Sequence, residues 1–216
     1  MLGQTKELLS RLPEDVDLVG VEVGVWKGGN AATLLRHRPW LQLHLVDLWS
    51  HNPNPDYAPV DPGHAGRSEE EWSQVFHQVQ MRFADNPRVK LYRMDSVAAA
   101  AWFADKSLDF VFIDADHSYT GVARDLPAWW PKIRPGGLLC GHDFAPKFPG
   151  VIRAVREFHR ACARCRLPVD RGLDATWFIR VPDVRPAGRP RAADRRRLLT
   201  GLGATSAPRR PPEGNP

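Results

Sequence analysis

The sequence predicts an α/β fold: one mainly parallel, doubly wound sheet with helices on both faces. Three observations carry this expectation. Short apolar runs of strand length alternate with helical stretches, the order that βαβ units impose. The first run ends in glycines and the later ones end in acidic residues, as strand mouths that bind ligands do. Finally, 216 residues with 43% hydrophobic content suffice for one well-filled core.

In chain order, residues 2–12 read as an amphipathic helix, because Leu8, Leu9 and Leu12 recur at helical spacing. The run LVGVEVGV at 18–25 is a strand, 28–37 the helix after it, and LQLHLVD at 41–47 a second strand. From 49 to 67 Pro, Asn, Asp, Gly and His dominate, which is loop chemistry. Ser68 before Glu69, Glu70 and Glu71 is an N-cap with an acidic first turn, so a helix starts there and runs to about Phe83. A strand at 89–94, a short helix over 97–103 and a strand at 108–114 follow. The helix over 120–133 is expected to kink at Pro127, which lacks a backbone donor, and a strand at 137–141 sits behind the turn RPGG. A helix over 151–165 and a strand over 175–181, paired with one near 167–169, close the body.

The formal charge of +5 is a property of the tail. Eight arginines between positions 185 and 210 face only Asp183, Asp194 and Glu213, which leaves the body neutral and no nucleic-acid partner expected. Residues 1–182 are expected to form one domain. Residues 183–216, rich in Pro, Arg, Gly and Ala and poor in large apolar side chains, are expected to be disordered. Three cysteines, Cys140, Cys162 and Cys165, are too few for a disulfide framework and point to a reducing cytoplasm. The N-terminal residues lack a signal-peptide pattern, and no apolar window is long enough to span a membrane.

Candidate site residues cluster at the strand ends. Glu22, Gly24 and Gly28 occupy the first strand-to-helix turn, where glycine lets the backbone approach a ligand and the helix start offers free N–H groups. Asp47 ends the second strand, where doubly wound domains place a ribose-binding acid. Asp95 and Ser96 follow the third strand. Asp114, Asp116 and His117 follow the fourth, and His142 and Asp143 the fifth. Packing alone does not explain an apolar strand that ends in two acids and a histidine, since such groups need water, partners or a metal. Two other patterns have structural readings. Trp130 continues the spacing of Val122 and Leu126 and is expected in the core. His159, Cys162 and Cys165 lack the fourth ligand of a zinc site and read as reduced thiols on a helix.

The run E-x-G-x-x-x-G-G, then VDLW, then FIDADHSYTGVARDLPAWWPKIRPGGLLCGHDF resembles the small class I S-adenosylmethionine-dependent methyltransferases related to macrocin and sugar O-methyltransferases, and more distantly catechol O-methyltransferase. The likeness covers roughly residues 18–144. It implies a Rossmann-like seven-stranded sheet with S-adenosylmethionine across the first three strand ends. Glu22, Gly24 and Gly28 would lie along the methionine part, Asp47 would hold the ribose, and Asp95 with Ser96 would sit near the adenine. Metal-dependent members bind Mg²⁺ at positions that correspond here to Asp114, His142 and Asp143. The His-Asp pair departs from their Asp-Asp or Asp-Asn, because imidazole is a poor ligand for a hard cation, so another divalent metal or none stays open.

Methyl transfer from a sulfonium requires an aligned acceptor hydroxyl and a group to take its proton. Asp116 or His117 is the expected base, His117 having the better ordinary pKa, and a metal at Asp114 and Asp143 would instead activate the hydroxyl. The expected acceptor is a small molecule, and self-association stays open. Two alternatives also remain: an NAD-dependent oxidoreductase, disfavoured because Trp26 fills the middle glycine position of GxGxxG, and a non-catalytic binding protein on the same fold.

Overall fold

The computed structural model describes residues 3–56, 66–162 and 169–183. They belong to one unit, Met1–Val184, while the second unit, Arg185–Pro216, lies outside the described residues, as do the tail expected at 183–216 beyond Asp183, Tyr57 and His64 of the long loop, and Cys165.

Seven strands form a single sheet. They are β1 (Leu18–Val23), β2 (Leu41–Asp47), β3 (Val89–Arg93), β4 (Leu108–Ile113), β5 (Ile133–Gly141), β6 (Asp170–Arg171) and β7 (Trp177–Arg180). The order is β3-β2-β1-β4-β5-β7-β6. β1 to β5 run parallel, and β7 and β6 return antiparallel at one edge, so the Rossmann-like, mainly parallel seven-stranded architecture expected from the resemblance is present.

Side-chain alternation along the strands splits the core into two layers. Leu18, Leu41, Leu43, Leu45, Phe110 and Phe112 face α1 (Gly3–Leu9), α2 (Gly29–His37) and α3 (Glu69–Phe83). Val21, Val23, Val111 and Ile113 face α4 (Ser96–Ala100), α5 (Tyr119–Trp129) and α6 (Pro149–Ala161). β4 is buried at every position, as a central strand covered on both sides must be. The same alternation turns Glu22 toward the α1–α2 layer. The helix starts follow local chemistry: Ser68 and Glu71 form a reciprocal capping box on α3, and the Ser118 hydroxyl accepts from the Gly121 amide at 3.0 Å on α5.

Several expectations shift. α5 accommodates Pro127 and ends at Trp129, and a 3-10 turn, Trp130–Lys132, takes over the expected continuation to 133. The core position therefore falls to Trp129, which is fully buried, and Trp130 packs partly exposed on Phe158. β5 begins four residues earlier than the sequence suggests. RPGG is a bulge within it, since the pairing jumps from Leu108 opposite Ile133 to Phe110 opposite Leu138. Trp49, expected in the loop, is buried against Phe76, and its indole N–H donates to the Trp26 carbonyl at 2.9 Å. The edge partner of β7 lies at 170–171; the expected 167–169 strand falls largely outside the described residues. Cys140 and Cys162 are free thiols. Among the described residues no helix is long and apolar enough to cross a membrane.

Gly24 sets the spacing between β1 and β4. Its φ is +86°, and a Cβ there would overlap the Asp114 carbonyl. Gly136 also has positive φ but faces open space. Gly136→Ala is expected to show backbone strain alone, about 1–2 kcal/mol. Gly24→Ala should lose a further ~1–3 kcal/mol through the enforced contact. Urea unfolding of both variants checks this; equal losses would show that the two strand ends are not locked together.

Candidate active site

β1 and β4 are neighbours, yet the helices that follow them pack on opposite faces of the sheet. The two connections diverge and open a crevice at the carboxyl ends, the usual binding position of such sheets. It holds a cavity of about 580 Å³, within the common range for small ligands. Glu22, Gly24, Asp47, Asp95, Ser96, Asp114, Asp116, His117 and Asp143 all line it, whereas Gly28 and His142 do not.

At one end Glu22 is 2% exposed. Its Oε1 accepts from Asn30 Nδ2 at 3.3 Å, and Asn30 Oδ1 accepts in turn from the Thr5 hydroxyl of α1. Glu22 Oε2 is buried without a hydrogen-bond partner. Burial pushes this carboxyl up to about 8, and the charges of Asp114 and Asp47 push the same way. Beside it, α2 starts at Gly28, whose left-handed φ of 73° fixes the turn and whose position carries no side-chain cap. The first amides of α2 are thus free for an anionic group, and Gly29 has nothing within 4 Å of where a Cβ would stand. Gly28 shapes this turn and does not line the cavity.

Asp47 does more than end a strand. Its Oδ2 accepts from the Val25 and Trp26 amides at 2.8 and 2.9 Å, and its Oδ1 accepts from the Trp49 amide at 2.8 Å. Those donors hold Trp26 and Trp49 at φ 53° and 42°, a conformation unfavourable for bulky residues. Farther along, Asp95 Oδ1 caps α4 through the Ala98 amide at 3.0 Å, and its Oδ2 lies 3.5 Å from Arg124. The Ser96 hydroxyl accepts from the Trp129 indole at 2.8 Å. Asp125 of α5, which no strand-end motif marks, is 5% exposed and lines the cavity here.

The opposite wall carries the ionic cluster. His117 Nε2 lies 2.7 Å from Asp143 Oδ2 and 3.7 Å from Asp114 Oδ1. The ring N–H is not aligned with either oxygen, so the pairing is ionic more than a straight hydrogen bond. Burial alone would discharge this imidazole, but Asp114 and Asp143 overcome it and push His117 up to about 9. For Asp143, burial is likewise outweighed, and His117 and His142 hold it well below the usual carboxylate range. An imidazole already carrying its proton cannot accept another. The two carboxylates keep His117 in its charged form near neutral pH. Gln4 of α1 donates to Asp114 Oδ2 at 2.9 Å, a contact no motif announced.

Asp116 faces the segment after β2. Its Oδ2 accepts from Asn54 at 2.6 Å and Asn52 at 3.3 Å, and its Oδ1 accepts from the Ser118 amide at 2.9 Å. Asn54 also donates to the Ser118 and Thr120 hydroxyls, both at 3.0 Å. The Asn-rich stretch is thereby pinned across the start of α5.

Metal-ligand geometry differs from the expected set. Asp114, His117 and Asp143 offer donor atoms within 4.8 Å of one another, and His117 replaces the expected His142. His142 instead flanks the cluster, with its Nδ1 3.2 Å from Asp143 Oδ1 and 3.8 Å from Asp114 Oδ1. Two carboxylates and one imidazole fit a divalent cation, and the nitrogen donor suits a transition metal better than Mg²⁺.

A family profile described as a methyltransferase domain matches residues 21–144. Ribosomal RNA small subunit methyltransferase B of Xanthomonas campestris pv. campestris is 31% identical over 135 residues, 52% of this chain. The match spans about a quarter of that protein, 26% of its length. Among solved structures, CalS11, a TDP-rhamnose 3'-O-methyltransferase of calicheamicin biosynthesis, shares the fold with a TM-score of 0.55 and 18% identity over 82% of this chain and 77% of that one. The O-methyltransferase NovP does so with a TM-score of 0.56 and 18% identity, covering 82% and 76%.

Glu22 links the site to stability. A carboxyl raised from 4.5 to about 8 favours the fold fully below pH 4.5, and that contribution is lost as pH rises through 8. Asp125 and His117 slope in the same direction, so the comparison with Glu22→Gln is the diagnostic one. In the ligand-free protein Glu22→Gln is expected to gain on the wild type by up to about 1.4 kcal/mol per pH unit across this window. Urea midpoints at pH 5 and 8 measure it; a difference that does not change with pH would contradict the buried-acid assignment.

Proposed function

The chain belongs to the methyltransferase-domain family, and from that premise we propose that it transfers a methyl group from S-adenosylmethionine to a hydroxyl of a small molecule, a sugar or a glycosylated natural product. One observation carries the proposal. A single crevice has a buried, half-unpartnered carboxyl at one end and a carboxylate–imidazole cluster on the opposite wall. These suit the two reactants of a transfer; that CalS11 is a TDP-rhamnose 3'-O-methyltransferase and NovP an O-methyltransferase supports a hydroxyl acceptor. Family membership favours methyl transfer over the hydride-transfer alternative.

When bound, the donor supplies a methyl group already activated by a sulfonium centre. Glu22 Oε2 receives the donor's ammonium, and the free amides at the start of α2 receive its carboxylate. Asp47, held at the crevice by three backbone amides, faces the ribose hydroxyls as an acceptor. Asp114, His117 and Asp143 are the groups that would hold a divalent ion, which would supply a Lewis acid to lower the acceptor hydroxyl's pKa. Asp116 takes the acceptor proton at Oδ1, which among the described residues accepts only the Ser118 amide. Asn52 and Asn54 orient that carboxylate and cover the acceptor side against water.

Incubation with methyl-labelled S-adenosylmethionine and a panel of nucleotide sugars, glycosylated aglycones and RNA tests the function. Label is expected in a hydroxyl of a small molecule, and label in RNA alone would overturn the acceptor class. With an accepting substrate, Asp116→Asn is expected to reduce kcat about 10²–10⁴-fold, the usual worth of a general base. Donor affinity should stay within a few-fold. Asp143→Asn should also reduce kcat, and chelation followed by Mn²⁺ or Mg²⁺ re-addition reports whether an ion is used. An Asp116→Asn enzyme that keeps its rate would place the base elsewhere.

A further inference from the structure

We infer that Asp125, on α5, is the specificity-determining partner of the purine base of the donor, hydrogen-bonding its 6-amino edge. The inference rests on the donor orientation above, which puts the amino-acid end at Glu22, the ribose at Asp47 and the base beyond β3.

At that end the side chains that a strand-end motif would nominate are already engaged. Asp95 Oδ1 caps the Ala98 amide and its Oδ2 faces Arg124. The Ser96 hydroxyl accepts from the Trp129 indole and lies beside the Asp125 carboxyl. Ser96 is thus taken up by its two neighbours, and the Asp95 side chain, 42% exposed and facing Arg124, offers its remaining lone pairs in competition with water. Asp125 is the buried acid of this end: it is 5% exposed, lines the cavity, and among the described residues has only the Ser96 hydroxyl as a hydrogen-bonding neighbour. A carboxyl in that position is expensive unless it is neutral or paired. Burial pushes it up to about 7, Asp95 and Asp116 add to this, and Ser96 and Arg124 oppose it.

A neutral carboxyl offers one acceptor and one donor side by side. Adenine offers the matching pair, the 6-amino N–H and the N1 lone pair. Ser96 and Trp129 then serve as the backing that holds Asp125 at a fixed angle and do not themselves read the base. Arg124, with its side chain 59% exposed, sits at the rim and screens the pair.

Calorimetry with S-adenosylhomocysteine and with its analogue lacking the 6-amino group tests the assignment in wild type, Asp125→Ala and Asp125→Asn. The wild type is expected to bind the analogue about tenfold more weakly, the worth of one or two buried hydrogen bonds. Asp125→Ala should bind both compounds equally and about tenfold more weakly than the wild type binds S-adenosylhomocysteine. Asp125→Asn, which keeps a donor and an acceptor, should restore most of the affinity and the preference. Wild type that does not distinguish the two compounds, or Asp125→Ala that distinguishes them as well as wild type, overturns the inference and leaves the donor reading intact. Failure of the wild type to bind either compound overturns both. Because the wild-type comparison stands alone, the test survives a variant that does not fold.

Discussion

The site depends on the contact between the ends of β1 and β4 at Gly24 and Asp114. A parallel sheet whose crossovers diverge at that point leaves a crevice there, but the crevice is useful only if the two strand ends stand close. A glycine without a Cβ lets the Gly24 backbone rest on the Asp114 carbonyl. The groups at the ends of β1 and β2 and those at the ends of β4 and β5 then share one cavity. Everything else at the site refines that juxtaposition: Asp47 ties the β1 turn to the end of β2, and the Asn52–Asn54 segment closes over the start of α5.

Charge is arranged unevenly across this crevice. On the wall of Glu22 and Asp125, carboxyls are buried with too few partners: Glu22 has one oxygen unmatched, and Asp125 has a hydroxyl neighbour in place of a cation. On the opposite wall, Asp114 and Asp143 enclose a charged imidazole, so opposite charges compensate there although the ring N–H groups are aligned with neither carboxylate. Under the proposed function, a ligand carrying an ammonium and hydrogen-bonding groups relieves the uncompensated carboxyls of the first wall. Positive φ at Trp26, Trp49 and Asp143, each just beyond a strand that ends at the crevice, adds local strain of the kind that functional sites retain.

The fold was largely legible because its signals are local. Strand runs, the Ser68 cap and the acids after β2, β4 and β5 need only composition and period to be found, and nine of the eleven expected site residues line one cavity. What was illegible depends on distant packing. Whether His117 or His142 joins Asp114 and Asp143 is decided by where the β4 and β5 turns bend, and spacing does not encode that. Asp125, Asn30 and Gln4 lie on helices, where a polar residue usually faces solvent; only the docking of α1, α2 and α5 onto the sheet turns them inward. RPGG read as a turn because its residues favour one, and the pairing of β5 with β4 absorbed it as a bulge.

A crystal structure with S-adenosylhomocysteine bound tests the central claim most directly. The expected density runs through the crevice with the amino-acid group at Glu22, the ribose at Asp47, the purine against Asp125, and the thioether sulfur facing Asp114 and Asp116. A ligand lying outside the Gly24–Asp114 junction, or threaded with its purine at Glu22, would contradict it.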